Sequence, residues 1–123
     1  DNKYLGNIKS KLSQTLAPAS CKVLAVRPRK VYPQVISTSR HITQGLMDVK
    51  EESWNPDKRT LSGTSAVVKG DRYELRIIVP EEFNIKSTKS NSGKMFIQKE
   101  GKLIRVSFTP KKSGTINWNI EFK

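Results

Sequence analysis

The polar stretch YPQVISTSRHITQG, residues 32–45, contains the one histidine of the chain, His41. Arg40 precedes this histidine, and Thr43 and Gln44 follow it. A neutral imidazole both donates and accepts hydrogen bonds, so a histidine in such company either takes part in proton transfer or holds a contact surface in place. Which of the two applies depends on whether the chain offers a catalytic partner.

Catalysis at this stretch would need a nucleophile and an acid at defined positions. A serine nucleophile could come from Ser37 or Ser39, but no local pattern supplies the carboxylate that would orient the histidine. In an extended strand, Asp48 and Glu52 share one face with Trp54 and lie about 13 Å apart, at about 3.3 Å per residue. The carboxyl pairs of glycosidases lie about 5–9.5 Å apart. We therefore expect a solvated strand face here and no active site.

The cysteine and glycine patterns exclude further kinds of site. Cys21 is the single cysteine, so no internal disulfide can form, and no second thiol or histidine cluster completes a zinc site. Cys21 lies in the apolar run SCKVLAVRP, which predicts a buried structural thiol rather than a nucleophile. The segment GTSAVVKG does not have the spacing of a P-loop. We expect no metal, no cofactor and no catalysis by this chain.

Most of the second half of the chain alternates between apolar and polar residues, which is the pattern of half-buried strands. The segments RYELRIIVP, LIRVSFTP and TINWNIEFK follow this pattern. In the last of them, Trp118 shares a face with Ile116, Ile120 and Phe122. Because the other residues on this face are apolar, Trp118 is predicted to belong to the core.

Turn-forming residues separate these segments. KGDRY, SNSGK, KEGK and KKSG predict hairpin turns, and Pro56, Pro80 and Pro110 predict strand ends. No window of about 11 residues or more has a helical period. The sequence therefore predicts an all-β antiparallel β-sandwich in a single domain, residues 1–123. In the first half, short aliphatic or β-branched runs predict further strands: NKYLGNI, KLSQTL, CKVLAV, QVIS, GLMDVKEES and TLSGTSAVV.

The net charge is +12, from 23 Lys and Arg against 11 Asp and Glu. A positive charge of this size favours binding to a polyanion. The basic residues, however, are scattered along the chain in RPRK, IKSTKS, KEGK and TPKK, mostly at expected turns. No aromatic residues interleave with them as a base-stacking platform requires, so we expect no specific nucleic-acid partner.

No apolar run approaches the roughly 20 residues that span a bilayer, and the opening residues lack the apolar segment of a signal peptide. We expect no integral membrane segment.

Two aromatic residues border turns and could be exposed, namely Trp54 in EESWNPDK and Tyr32 in KVYPQ. Exposed aromatic rings stack on the apolar face of a sugar, because the face of the ring carries negative charge density. The sequence therefore leaves open a sugar platform at Trp54 or Tyr32. The alternative is that both rings form a partly buried edge of the sandwich.

The order of several segments along the chain resembles that of a known domain family. KYLGNIKSKLSQTLAPASCKVLAVRP, followed by QVISTSRHITQG, LSG and GDRYELRIIVPEEF, resembles the C-terminal β-sandwich domain that follows the catalytic (β/α)8 barrel in melibiase-type, α-galactosidase-like glycoside hydrolases. The likeness covers nearly the whole chain. Its most specific parts are LAPASCKVLAVRP and STSRHITQG, and neither is a catalytic signature.

This resemblance implies that the catalytic aspartates lie in an upstream barrel of the same polypeptide. The chain would then be a non-catalytic accessory domain that packs on this barrel and stabilises it, in a parent enzyme expected to be secreted or periplasmic if it degrades polysaccharides. Arg40, His41, Thr43 and Gln44 would be the interdomain contact, unless they form a hydrogen-bonded loop within the sandwich. Two other functions stay open, an autonomous carbohydrate-binding module and, less favoured, a polyanion-binding domain.

Overall fold

Residues 3–40 and 48–123 are described by a computed structural model of the chain. The described residues form eight β-strands and no helix. The strands are β1 (Gln34–Thr38), β2 (Val49–Asn55), β3 (Thr60–Val67), β4 (Tyr73–Ile78), β5 (Ile85–Ser90), β6 (Phe96–Glu100), β7 (Leu103–Phe108) and β8 (Gly114–Phe122).

The strands make two antiparallel sheets of four strands each. Sheet A has the order β1-β4-β7-β6, and sheet B has the order β2-β3-β8-β5. The apolar side chains of both sheets form one buried cluster between them. This arrangement confirms the predicted all-β antiparallel sandwich.

Alternation along the strands decides which side chains enter this core. Tyr73, Leu75 and Ile77 of β4 are buried, as are Ile104, Val106 and Phe108 of β7, because every second residue of a strand points to the same face. In β8, Trp118 is buried with only 2% of its surface exposed. The prediction that Trp118 is a core residue is therefore confirmed.

All four glycine-containing turns lie between strands, but only one of these four connects two strands that pair with each other. In KEGK, Gly101 and Lys102 connect the paired residues Glu100 and Leu103, and the φ of Gly101 is +61°. A positive φ at this position matches the twist of the strands, and glycine adopts it without strain. KGDRY, SNSGK and KKSG instead cross from one sheet to the other, so the hairpin prediction for those three segments is wrong.

The largest departure from the predicted strands is at the N-terminal side. Residues 3–33 contain no strand, so the predictions for NKYLGNI, KLSQTL and CKVLAV are wrong in the described structure. A strand needs a neighbour for its backbone groups, and these runs have no strand partner among the described residues. QVIS and TLSGTSAVV do form β1 and β3, and the described part of GLMDVKEES forms most of β2.

Two strands were not predicted. IKSTKS, interpreted as a basic turn, is β5, and FIQKE is β6. Both are edge strands, and every residue of β6 is exposed. Neither carries the row of buried apolar residues on which the prediction of a strand depends.

Cys21 also departs from its prediction. Its side chain is exposed, not buried, because the segment around it lies outside the sandwich. The apolar neighbours in the sequence indicated burial, but they contact too little of the core to provide it.

No helix long and apolar enough to cross a membrane occurs in the described ranges.

Candidate functional site

The outer face of sheet B forms a depression, which we call the sheet B groove. It has a volume of about 590 Å³. Its surface is formed by short hydroxyl and amide side chains on β2, β3 and β8 and just after β5, with Glu51 and Lys89 at opposite edges. The short side chains are those of Ser53, Ser62, Thr64, Asn91, Asn117 and Asn119.

The register of the sheet explains this composition. Ser62 pairs with Asn119 and Thr64 pairs with Asn117, so polar residues of β3 and β8 stand side by side on the outer face. Hydroxyl and amide groups donate and accept hydrogen bonds, which is the chemistry that recognises sugar hydroxyls or another polar surface. These residues were not predicted to form a site, although alternation places Asn117 and Asn119 on the face opposite Trp118. Their signal was the small polar residue at every second position of TLSGTSAVV and TINWNIEFK.

Gly63 lies on the opposite, inner face of the same strand. It pairs with Trp118, and a β-carbon added at Gly63 would overlap the Trp118 indole and the Glu51 carbonyl oxygen. Glycine is therefore needed because the Trp118 indole approaches the backbone of β3 closely. This close approach holds the large Trp118 side chain beneath the groove without opening the sheet.

A chain of buried hydrogen bonds begins at Trp118 and crosses the core. The Trp118 indole N–H donates to Ser65 Oγ at 2.9 Å, and the Tyr73 hydroxyl lies 2.9 Å from the same oxygen. Tyr73 also lies 2.8 Å from Asp48 Oδ2. An ionised carboxylate can only accept, so the phenolic proton belongs to the bond with Asp48 and the Ser65 hydroxyl donates to Tyr73.

Burial raises the pKa of the Tyr73 hydroxyl above its usual range, and the neighbouring Asp48 carboxylate raises it further. A hydroxyl held in its neutral form is a poor nucleophile and a poor base. The Trp118–Ser65–Tyr73–Asp48 chain is therefore suited to joining the two sheets.

The outer face of sheet A carries a network of ion pairs. Glu74 Oε1 accepts hydrogen bonds from Arg76 Nε and Arg105 Nη1, each at 2.9 Å, and Arg105 also binds Glu100. Burial alone would raise the pKa of Glu74, but the hydrogen bonds from Arg76 and Arg105 outweigh it and the pKa is lowered. Arg76 is itself buried and donates to the Thr38 carbonyl at 2.9 Å. These charges satisfy one another, so this face offers little free positive charge to an anionic ligand.

The segment that contains the histidine is described only in part. Arg40 lies in the described part, and its Nη1 donates to the Ala66 carbonyl oxygen of β3 at 3.0 Å. This bond favours the alternative that Arg40 stabilises the sandwich internally. His41, Thr43 and Gln44 lie outside the described residues, so the interdomain contact stays a prediction.

Trp54 and Tyr32 lie together. Their rings are stacked with centroids 5.7 Å apart and an interplanar angle of 5°, so Tyr32 covers one face of the indole. Phe83 meets the indole edge to face at 5.4 Å, and the Lys30 ammonium lies 5.1 Å from the Tyr32 centroid. The geometry favours the alternative of a partly buried edge of the sandwich, and a sugar platform at Trp54 or Tyr32 stays untested.

The acidic residues considered for catalysis have structural partners. Asp48 accepts from Tyr73, and Glu52 Oε1 accepts from the backbone N–H of Val35 at 3.2 Å. No group of three or more His, Cys, Asp or Glu within residues 3–40 and 48–123 is placed to hold a metal ion.

Apolar side chains are exposed on the segment before the sandwich, which we call the N-terminal arm (residues 3–31). Of the ten exposed large apolar side chains in the described residues, seven lie on this arm. Val23 and Val26 are the most exposed, at 86% and 83%. Large exposed apolar patches are typical of interaction surfaces, which makes the arm a candidate contact region. The seven side chains are those of Leu5, Ile8, Leu16, Val23, Leu24, Val26 and Val31.

Comparisons with protein-family models, with curated proteins and with solved structures found no match for this chain.

Proposed function

We propose that this chain is a non-catalytic C-terminal β-sandwich domain of an α-galactosidase-like glycoside hydrolase, which packs on the catalytic barrel of the same polypeptide and stabilises it. The observation that carries the proposal is the exposed apolar surface of the N-terminal arm. Soluble proteins rarely leave such a surface in water, since burying it against a partner is favourable by about 25 cal/mol per Å².

The sandwich itself does not need the arm for its core. The core cluster is drawn from residue 35 onward and contains no residue of the arm. The outer faces of both sheets carry polar and charged side chains, in the sheet B groove and in the Glu74 network. An attached domain therefore gains the most from covering the arm, which supports a role in packing against a neighbour.

We take the neighbour to be a catalytic barrel because of the resemblance, and the experiment tests that identity. The purified 123-residue chain should not hydrolyse aryl α-galactosides, whereas the natural polypeptide that contains this sequence should hydrolyse them. Val23→Asp should then lower the temperature at which the polypeptide loses activity, because a charge on the arm cannot be buried cheaply.

Val68→Asp is the matched control, since Val68 is an exposed valine outside the arm. It should leave the inactivation temperature unchanged. A natural polypeptide without glycosidase activity would contradict the proposal, and so would an equal effect of both substitutions.

The sheet B groove favours a second candidate, a carbohydrate-binding module. Its hydroxyl and amide groups suit sugar hydroxyls, although the residues that form it include no exposed aromatic ring. A glycan array probed with the 123-residue chain tests this function. Binding that is lost in Asn117→Ala and Asn119→Ala would support the groove, and binding that is lost in Trp54→Ala would instead support the aromatic platform.

A further inference from the structure

We propose that two copies of this chain associate through β6 (Phe96–Glu100), which pairs antiparallel with β6 of the second copy. The two-fold axis of this dimer passes through Ile97, so that the Ile97 residues of the two copies face each other. The four strands of sheet A then continue across the axis into the four of the second copy. This interface is independent of the proposed function and of the arm, since the arm leads into β1 at the opposite edge of sheet A.

The edge formed by β6 differs from the other sheet edges. The free edges belong to β1 and β6 in sheet A and to β2 and β5 in sheet B. The pairings of β1, β2 and β5 with their inner neighbours each contain a shift of register, whereas the pairing of β6 with β7 is continuous. Such irregularities bend an edge strand and hinder its pairing with another chain. β6 is therefore the one regular free edge in the described ranges.

The side chains of β6 are also exposed. Of the exposed large apolar side chains in the described residues, Phe96 and Ile97 are the two that lie on a strand, and they are exposed by 60% and 43%. Phe96 pairs with Ser107 and Ile97 pairs with Val106, so the phenyl ring lies on the outer face of sheet A and Ile97 on the side of the core. A regular edge strand with exposed apolar residues is typical of sites of strand pairing, and a paired strand covers both faces.

The hairpin that joins β6 to β7 determines which backbone groups of β6 are free. Because its loop has two residues, Glu100 and Leu103 exchange both backbone hydrogen bonds, and bonded pairs alternate with non-bonded pairs along the strands. Gln98 is therefore bonded to β7, whereas the N–H and C=O groups of Ile97 and Lys99 point to the free edge. No backbone hydrogen bond from another element to these groups is found within residues 3–40 and 48–123.

The axis at Ile97 satisfies these groups and aligns opposite charges. The Ile97 residues of the two copies exchange backbone hydrogen bonds, and Lys99 does so with Met95 of the second copy. On the outer face, Lys94 then lies opposite Glu100 of the second copy, and the symmetry forms this ion pair twice. Lys99 is exposed, and its long side chain reaches water at the rim of the sandwich.

The neighbouring registers that satisfy the same backbone groups are less favourable. An axis at Gln98 would place Lys94 opposite Lys102 of the second copy, and an axis at Lys99 would place two lysines opposite each other. Like charges in these positions are destabilising. An axis at Phe96 would pair the two phenyl rings but place Lys94 opposite Gln98, so that it forms no ion pair. With the axis at Ile97 the phenyl rings still meet as diagonal neighbours.

Both members of this ion pair can accept a partner from the second copy. The Lys94 ammonium lies 5.5 Å from the Phe96 ring centroid, and no ion pair of Lys94 is found in the described part of the chain. Glu100 Oε1 accepts from Arg105 Nε at 3.0 Å, and the Glu100 side chain is exposed by 42%. A carboxylate has about four acceptor sites, so Glu100 can bind both Arg105 and the lysine of the second copy.

Sedimentation velocity of the 123-residue chain tests the dimer at protein concentrations from about 1 μM to about 1 mM. A salt concentration of about 0.15 M screens the repulsion between the two net charges beyond about 8 Å. The parent chain should dimerise reversibly as its concentration rises. Ile97→Pro should remain monomeric and folded, because proline removes an N–H that faces the free edge and no bond to β7. The control Val23→Asp, on the arm, should dimerise like the parent.

Three results of this experiment would overturn the proposal. The first is a parent chain that remains monomeric up to about 1 mM. The second is dimerisation of Ile97→Pro as strong as that of the parent. The third is a dimer that is lost in Val23→Asp and retained in Ile97→Pro, which would assign the contact to the arm.

A charge exchange tests the register. Lys94→Glu and Glu100→Lys should each weaken the dimer about 10-fold or more, because like charges then face each other twice. An equimolar mixture of the two variants should form a heterodimer in which both ion pairs are restored with reversed sign. Recovery in the mixture excludes misfolding of either variant as the cause of the loss. Unchanged affinity of the single variants, or no recovery in the mixture, would overturn the register and with it the proposal.

Hydrogen exchange followed by NMR reports on the backbone bonds themselves. The amides of Ile97 and Lys99 should exchange rapidly in the dilute chain and become protected as the dimer forms. The Gln98 amide should be protected at all concentrations, because it is bonded to β7 in the monomer. Protection of Ile97 and Lys99 that does not depend on concentration would contradict the proposed pairing.

Discussion

The Tyr73 hydroxyl donates a 2.8 Å hydrogen bond to the Asp48 carboxylate, and this bond joins sheet A to the residue that leads into the first strand of sheet B. Two buried sheets held by apolar contacts alone can slide, since such contacts have no direction. A hydrogen bond to a charged group adds direction and contributes about 1.5–3 kcal/mol. The Tyr73–Asp48 pair therefore contributes both to stability and to the alignment of the sheets.

Tyr73→Phe should lower the free energy of unfolding by about 2 kcal/mol at neutral pH, because Asp48 loses its donor and Ser65 loses one partner. Urea unfolding monitored by tryptophan fluorescence measures the change. Tyr4→Phe is the control, since no hydrogen bond involving its hydroxyl is found among the described residues, and it should stay within about 0.5 kcal/mol of the parent chain. Equal stability of both variants would contradict the role of the Tyr73 hydroxyl.

Tyr73 also predicts how stability depends on alkaline pH. Its folded-state pKa is raised, chiefly by burial, whereas tyrosine in the unfolded chain ionises near its usual value of about 10. The contribution of Tyr73 is therefore fully present below about pH 10, and stability falls as the pH rises above that value. The fall between about pH 9 and pH 11 should be smaller in Tyr73→Phe than in Tyr4→Phe.

Glu74→Gln should destabilise the chain by about 2 kcal/mol at neutral pH, because Arg76 and Arg105 both lose the carboxylate to which they donate. The lowered pKa of Glu74 means that this stabilisation is present above the usual glutamate pKa of about 4.3 and is lost as the pH falls through the folded-state value. The difference in melting temperature between parent and variant should therefore shrink at acidic pH. Glu81→Gln removes an exposed pair with Lys102 and should have almost no effect.

Gly63→Ala should destabilise the chain by about 2 kcal/mol or more, because the added methyl group overlaps the Trp118 indole and the Glu51 carbonyl oxygen. Ser62→Ala, on the outer face of the same strand, should stay within about 0.5 kcal/mol. In Trp118→Phe, which removes the overlapping part of the indole, the further effect of Gly63→Ala should be smaller. Additive effects of Gly63→Ala and Trp118→Phe would show that the two positions do not meet.

Arg40→Ala distinguishes an internal hydrogen bond from an interdomain contact. The bond from Arg40 to the Ala66 carbonyl oxygen predicts a loss of about 1.5 kcal/mol in the 123-residue chain itself. Arg29→Ala, which changes an exposed arginine on the arm, should have no measurable effect. If Arg40→Ala leaves the isolated chain unchanged but loosens the longer polypeptide, Arg40 belongs to the interdomain contact.

Binding of the chain to DNA or heparin should be non-specific and salt-sensitive. The net charge is +12, but the arginines of sheet A are largely occupied by Glu74 and Glu100. Fluorescence anisotropy should give similar affinities for duplexes of unrelated sequence, with binding lost by about 0.5 M salt as counterions compete. A sequence-selective complex that survives this salt concentration would support the polyanion-binding alternative.

The sequence predicted the interior strands and the edge strands β1 and β2 but failed at the edge strands β5 and β6, for a physical reason. β8 alternates strictly, and β4 and β7 alternate over most of their length, because one face of each meets the core. The inward residues of β5 include Thr88 and Ser90, and β6 is exposed on both faces, so neither strand has an apolar row to detect. The run CKVLAV has such residues, but strand formation also depends on a partner, which a single sequence does not reveal.

For the candidate site, the sequence predicted on which face of its strand a residue lies, but not which strands lie side by side. Alternation placed Trp118 in the core and the asparagines beside it on the outer face, but the groove depends on which strands are neighbours. The pairing of Gly63 with Trp118 joins residues far apart in sequence, and no local pattern specifies such a register. The stack of Tyr32 on Trp54 was missed for the same reason, since Tyr32 precedes β1 and Trp54 belongs to β2.

The position of β8 has a consequence for how the chain acquires its fold during synthesis. β8 is the last strand in the described sequence, yet it lies between β3 and β5 in the middle of sheet B and pairs with both. A ribosome must therefore complete residue 122 before this sheet can close, and until then β3 and β5 expose edges that can pair with other chains. Contacts between residues so distant in sequence also form slowly. Sheet B is thus expected to close late in the synthesis of this sequence, with the greatest risk of aggregation immediately before β8 is released.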